Sequence, residues 1–317
     1  MYHYVRPAPA GLRYFRYLHI DNFRRQLDWL APRHRFILRE EFFDSVESGR
    51  AVDGVLLTFD DAFSDHYEHV LPELVARGLW GIFYVPTMVL TPGRMLDVHR
   101  VHWILGRLGG LRAMELAKEL VSDDMLSHAH VEDFHRLTYV LQDNDAATNL
   151  FKRTMNYFIA YEHREPILDR LMVRVLDGAD ERALKAGFYL NRDQIKAMHD
   201  AGMTIGSHTV NHPVMSRLDE DAQAIEISRS FGELEAITGE KMRTFCYPYG
   251  GFHTFTAATE RLLAGHGALF SFNVEARDIS DDDLSHRPQA LPRYDCNHFP
   301  YGAAHMGAES PVEAVRT

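Results

Sequence analysis

At 317 residues the chain has room for one α/β barrel of roughly 220 to 250 residues plus an insertion, or for two smaller domains. Its 46% hydrophobic content supports a sizeable core, and its formal net charge of −11 argues against nucleic acid or an anionic lipid surface as a main partner. Two cysteines, Cys246 and Cys296, cannot build a disulfide framework and fit a reducing compartment. No window reaches about 18 consecutive apolar residues, and MYHYVRPAPAGLRYFRYL has no apolar core of signal-peptide length. The expectation is a soluble, cytoplasmic protein with no membrane insertion.

Met1–Val5 is a short β-prone run closed by Arg6-Pro7-Ala8-Pro9, which neither continues a strand nor enters a helix. Asn22–Leu30 sets Phe23, Leu27 and Leu30 at helical spacing, with Asp21 as N-cap. Within DGVLLTFDD, Asp53–Asp61, the second strand Val55–Phe59 reads as buried on both faces and runs into Asp60 and Asp61. A helix over Ser64–Arg77 stops at Gly78, and Gly81–Val85 is a third strand ended by Pro86. This βαβ rhythm implies parallel strands with right-handed crossovers.

From Asp97 to Gly187 the pattern is helical throughout, with no convincing strand, and reads as an insertion after the third strand. Its histidines, His99, His102, His128, His130, His135 and His163, are read as helix-face residues rather than ligands. The rhythm resumes with a helix over Asn191–Gly202, a strand at Met203–Ser207 and a helix over Asp219–Thr238 that stops at Gly239. Strands Thr244–Tyr247, Ala268–Asn273 and Gln289–Tyr294 follow, with a helix at Thr256–Ala264. The resulting expectation is a distorted seven-stranded (β/α) barrel. It comprises residues 1–96 and 188–302, with a helical insertion over 97–187 and a loosely ordered tail over 303–317.

Chemistry concentrates at the carboxyl ends of two of these strands, where α/β folds keep their sites. Adjacent carboxylates repel and resist burial, so Asp60 and Asp61 either begin a solvated turn or share a cation or a proton. The other strand leads into Gly206-Ser207-His208-Thr209-Val210-Asn211-His212-Pro213. Pro213 biases His212 away from helical backbone, and an H-x-x-x-H spacing through a tight turn lets both imidazoles converge on one ion. Together the two pairs favour an Asp-His-His site with positions open to water and substrate.

TFDDA (Thr58–Ala62), SHTVNH (Ser207–His212) and FCYPYG (Phe245–Gly250), in this order, resemble the polysaccharide deacetylase family with the NodB homology domain, carbohydrate esterase family four. The likeness extends to MYHYV and to GFYLNRDQIKAMHDAGMTIGSHTVNHPVMSRL, about two thirds of the chain, and leaves out the helical insertion. It implies a divalent metal, usually zinc, with Asp61, His208 and His212 as ligands and Asp60 as general base. It also implies that the backbone N–H of Tyr249 helps hold a tetrahedral oxyanion, although Pro248 and Gly250 equally fit an ordinary βα turn.

Two departures stand out. Where the family often carries a base-holding arginine, this chain has Cys246, with Arg243 three residues earlier. The late motif bearing the general-acid histidine is not recognisable in FSFNVEARDISDDDLSHRPQALPRYDCNHF. His286 and His298 are the candidates for the acid, and Arg293 or Asp295 for an orienting role. The implied activity is removal of an N-acetyl group from an amino sugar or nascent glycan, in a cytoplasmic chain fitting O-antigen or capsule synthesis. A small-molecule amidohydrolase or sugar deformylase, and a catalytically impaired glycan-binding homologue, remain open at this point.

Overall fold

A computed structural model describes residues 1–127, 134, 136–139 and 144–307. The described chain forms two compact units. One comprises Met1–Arg6, Leu18–Pro92 and Ala186–Ala304; the other comprises Pro7–Tyr17, Gly93–Lys185 and the residues from His305.

The first unit is built on five parallel strands forming a half-barrel. In chain order they are β1 (Thr58–Asp60), β2 (Ile82–Val85), β3 (Thr204–Ser207), β4 (Thr244–Cys246) and β5 (Phe270–Phe272), each paired to the next. Thr58 lies opposite Ile82, Tyr84 opposite Gly206, Ser207 opposite Phe245, and Phe245 opposite Ser271. Every residue of the five strands is buried, as the unbroken apolar runs require. Ile82, Tyr84, Cys246, Phe270 and Phe272 pack with Phe42, Phe43 and Val46 of the helix Arg39–Ser48. Phe42 meets Phe270 edge to face at 5.2 Å, a contact worth about 0.5–1.5 kcal/mol beyond its burial. Phe59 and Phe83 of neighbouring strands stack at 4.6 Å. Gly206 is required by close approach, since a Cβ there would stand 2.5 Å from the Tyr84 ring.

Among the described residues the main sheet has five strands, not seven. The expected first and seventh strands each touch the sheet at one bridge, Tyr2 to Phe59 and Leu291 to Phe272. The reasons are local. After Tyr2 donates to the Thr58 carbonyl, the chain leaves the sheet: Val5 and Arg6 pair in parallel with Leu18 and His19, and the Val5 N–H donates to the Asp65 carboxylate. Residues Pro288–Ala290 form a 3₁₀ turn, and Pro292 has no N–H to give to a ladder.

Helices cover the strands, with sequence-coded ends. Asn191 and Gln194 form a capping box at the start of Arg192–Asp200. Asp219 caps Glu220–Thr238, which Gly239 ends in left-handed conformation. The first helix starts earlier than expected, at Ile20, capped by the His19 side chain rather than by Asp21. The stretch after β1 opens as a π-helix, His66–Val70, before Leu71–Ala76. The helices Arg39–Ser48 and Asp281–His286 were missed by periodicity.

In the second unit the helices Asp97–Lys118, Ala146–Arg153 and Tyr161–Leu176 enclose a core of Val101, Ile104, Phe151, Met155, Leu168 and Leu171. The first of these kinks at Gly109 (φ 71°). Buried Arg100 is neutralised by Glu181 at 2.7 Å and Asp169 at 2.8 Å. His305 and Met306, expected in a loose tail, pair with Tyr17 and Arg16. His128, His130, His135 and residues 308–317 lie outside the described residues. Among the described residues no helix is long and apolar enough to cross a membrane.

Candidate metal centre and catalytic site

Strand β2 brings the two sequence-predicted pairs together. Its consecutive carbonyls accept from both neighbours: the Asp61 N–H donates to Tyr84 O at 3.0 Å, and the His208 N–H donates to Val85 O at 3.1 Å. Residues 147 positions apart are thereby fixed on adjacent ladder rungs at the carboxyl edge of the sheet. Beyond the strand ends the backbone turns sharply. Asp61, Ala62, Thr209, His212 and Tyr249 all adopt positive φ, between 54° and 80°. Such conformations cost on the order of 1–3 kcal/mol each in residues with a Cβ, and this concentration marks a site whose geometry is held by its surroundings. Pro213 keeps His212 out of the right-handed helical region, but in the left-handed rather than the extended direction.

The turn delivers both imidazoles to one carboxylate. His208 Nε2 lies 3.5 Å and His212 Nε2 3.3 Å from Asp61 Oδ1, and the two rings are 4.8 Å apart. One ligand atom from each of the three buried side chains falls within 4.8 Å of the others, a set that could hold a metal ion. The donor chemistry fits. His208 Nδ1 lies 2.6 Å from the Cys246 carbonyl, which only accepts, so Nδ1 carries the proton and Nε2 offers its lone pair. Burial, reinforced by the neighbouring His212, pushes the His208 imidazole down to about 4, so it is neutral and ligand-competent at ordinary pH.

Asp60 stands beside this set with a different partner. Arg293 Nη1 donates to Asp60 Oδ1 at 2.9 Å and Nη2 donates to Oδ2, with Nη1 also donating to Thr58 Oγ1 at 3.0 Å. Burial alone would push the Asp60 carboxyl up, but the guanidinium overrides it and holds the group well below the usual carboxylate range. Arg293 reaches this place along β5. Leu291 N–H donates to Ser271 O, Asn273 N–H donates to Leu291 O, and Arg293 Nε donates to Asn273 O at 2.9 Å. The guanidinium also lies against Cys246 Sγ, at the position where an arginine was expected from the resemblance.

The expected acid candidates are elsewhere. His298 is exposed, with Nδ1 donating to the Asp295 carbonyl, and Asp295 caps the 3₁₀ turn Cys296–His298. His286 is exposed and pairs with Asp282 at 3.0 Å. The histidine beside the carboxylates is His3, whose Nε2 lies 3.9 Å from both Asp60 Oδ2 and Asp61 Oδ2, with 39% of its side chain open to solvent. Its backbone carbonyl accepts from His66 Nε2 at 2.9 Å, which fixes the segment over the site. The quoted run MYHYV contains it, but a lone histidine in a β-prone stretch carried no signal of its own. The Tyr249 ring is 5.0 Å from that of His212, so the Tyr249 loop also borders the site.

Residues 172–267 match the family model described as polysaccharide deacetylase, a span that holds His208, His212 and Tyr249. That match covers this segment alone; over the rest of the chain the likeness to known deacetylases is one of fold. Solved deacetylases share its fold. The Streptococcus pyogenes deacetylase PplD in complex with acetate is 16% identical, with 93% of this chain and 89% of that chain covered, at a TM-score of 0.56. IcaB from Ammonifex degensii is 20% identical over 92% and 88%, at 0.54. A de-N-acetylase from Aggregatibacter actinomycetemcomitans is 15% identical over 92% of each chain, at 0.53. No curated protein matches. The Asp-His-His set here accounts for the metal-binding half of the site expected from the resemblance, and Asp60 remains outside that set.

Proposed function

We propose that this chain is a divalent-metal-dependent N-deacetylase that removes acetyl groups from an amino sugar within a glycan. The observation that carries the reading is the pairing of a buried Asp61–His208–His212 set with a second carboxylate, Asp60, held apart from it by Arg293. A structural metal site saturates its ligands and has no use for an adjacent ionised acid, whereas hydrolysis needs one. One carboxylate and two imidazoles suit zinc among the divalent ions.

A divalent cation held by Asp61, His208 and His212 would polarise an amide carbonyl and acidify a water. Asp60 accepts the proton of the attacking water. Arg293 keeps Asp60 ionised and aligned at some loss of basicity, so the carboxylate works only on an already acidified donor. The Tyr249 N–H, in a loop whose tyrosine ring lies 5.0 Å from that of His212, would stabilise the oxyanion. His3, on the open side of both carboxylates, supplies the proton to the departing nitrogen. A nascent surface glycan of O-antigen or capsule type is the preferred substrate class, on the resemblance alone. Acetate release from N-acetylglucosamine oligomers and from lipid-linked amino sugars, measured with Asp60→Asn as control, tests the proposal. Equal turnover by wild type and variant would remove Asp60 as base, and no release from any N-acetylated sugar would remove the activity.

A further inference from the structure

We infer that Glu226, on the helix Glu220–Thr238, is a positioning residue that sets the metal affinity of the site by moulding the turn between His208 and His212. The inference rests on the metal reading proposed above. Glu226 Oε2 accepts from the Val210 N–H at 2.8 Å and from the Asn211 N–H at 2.9 Å, and Oε1 accepts from Asn211 Nδ2 at 2.6 Å. One largely buried carboxylate therefore takes up the two consecutive backbone donors between the ligands, together with the side chain of the second. Both donors lie in the irregular turn between the strand Thr204–Ser207 and the 3₁₀ turn Met215–Arg217, so a side chain supplies the acceptor that no strand or helix ladder gives them.

The turn is flanked by the two strained residues Thr209 (φ 69°) and His212 (φ 55°). Left to itself a chain of this composition relaxes to negative φ, and the His212 ring would swing off the axis shared with His208. The same helix face grips the turn a second time. The Ser230 hydroxyl, one helical turn beyond Glu226, gives its proton to the carbonyls of Glu226 and Ile227, so Ser207 Oγ donates to Ser230 Oγ at 2.7 Å. Ser207 Oγ is then left to accept from the Thr209 N–H at 3.3 Å. Glu226 and Ser230 thus hold the far and near ends of the turn from one rigid element. Glu226 acts through the backbone N–H groups of Val210 and Asn211 and the Asn211 side chain.

The test is the uptake of cobalt(II) by the full chain, followed by titration and by the visible d–d bands, for wild type, Glu226→Leu and Glu226→Gln. Leucine fills similar space without accepting a hydrogen bond, and its cobalt affinity is expected to fall about 10- to 100-fold with altered bands. Glutamine keeps an acceptor for both backbone donors, and the Asn211 amide can turn its oxygen to the new NH₂, so a loss within about threefold is expected. Wild-type affinity in Glu226→Leu overturns the inference, as does a loss in Glu226→Gln as large as in leucine, which would assign the effect to charge. If Glu226→Leu does not fold, the exposed Asn211→Ala is read in its place. It removes only the bond to Oε1 and is expected to cost about two- to fivefold, and unchanged affinity overturns the inference. A wild-type chain that takes up no cobalt brings down the metal reading itself, and a wild-type chain that binds no more tightly than Glu226→Leu brings down only the role of Glu226.

Discussion

Arg293 and Asp60 lie 233 positions apart in the chain, yet two nitrogens of the guanidinium meet the two oxygens of the carboxylate inside the protein. Each charge is buried, so neither tolerates the loss of the other. Arg293→Met leaves the Asp60 charge unpaired and is expected to lower unfolding stability by about 3–5 kcal/mol, read from denaturant unfolding at neutral pH. Arg293→Lys restores the charge but not the fork, and is expected to recover most of the stability while deacetylation stays impaired. A Met variant as stable as wild type would show that the pair does not hold in solution.

Separating base from ligand is the next discriminating change. Asp60→Asn is expected to lower kcat by about 10²- to 10⁴-fold while the protein keeps its metal. His212→Ala is expected to lose the metal, and with it the activity. Metal content measured on both purified variants decides the matter, since loss of metal from Asp60→Asn would place that carboxylate among the ligands.

His3 and His298 offer a clean contrast. His3→Ala is expected to reduce kcat by about 10²-fold or more with unchanged metal content, whereas His298→Ala leaves kcat within about twofold. The reverse pattern would return the proton donor to the segment after β5.

Acid stability turns on His66. Burial pushes its imidazole down to about 4, while the unfolded chain takes up the proton near the ordinary value of 6.5. Between those values the unfolded state binds more protons, so stability is full above about pH 6.5 and falls as pH drops towards 4. The loss at the lower end is on the order of 3 kcal/mol from this residue. His66→Gln, which keeps a donor for the His3 carbonyl, is expected to flatten the slope of stability between pH 7 and 4.5. An unchanged slope would assign the acid sensitivity to other groups.

Close packing at the strand edge is equally testable. Gly206→Ala places a methyl group 2.5 Å from the Tyr84 ring and 3.0 Å from Thr244 Cγ2, and Tyr84 is tied by its hydroxyl to Thr244. An expected loss of about 1–3 kcal/mol follows from the overpacking, measured by thermal unfolding. A variant as stable as wild type would mean that the Tyr84 ring yields freely.

The chain itself determined a good deal. Apolar runs such as Ile82–Val85 marked sheet positions, because a strand buried on both faces leaves no polar alternation; the run expected over Val55–Phe59 pairs only from Thr58 to Asp60, with Val55 and Leu56 half-buried outside the strand. Gly239, Asn191 and Asp219 announced helix ends through their own conformational and hydrogen-bonding chemistry. Asp61, His208 and His212 were legible because adjacent ligands in local motifs leave a spacing signature. The flanking strands of the main sheet were overcounted, since a β-prone run says nothing of which partner it finds: Val5 and Arg6 pair with Leu18 and His19 instead. Only the tertiary structure decided that Arg293 holds Asp60, that His3 and not His298 faces the carboxylates, and that Glu226 braces the histidine turn. Each of these joins single residues from distant segments, and a lone side chain has no period or spacing by which a sequence can reveal its partner.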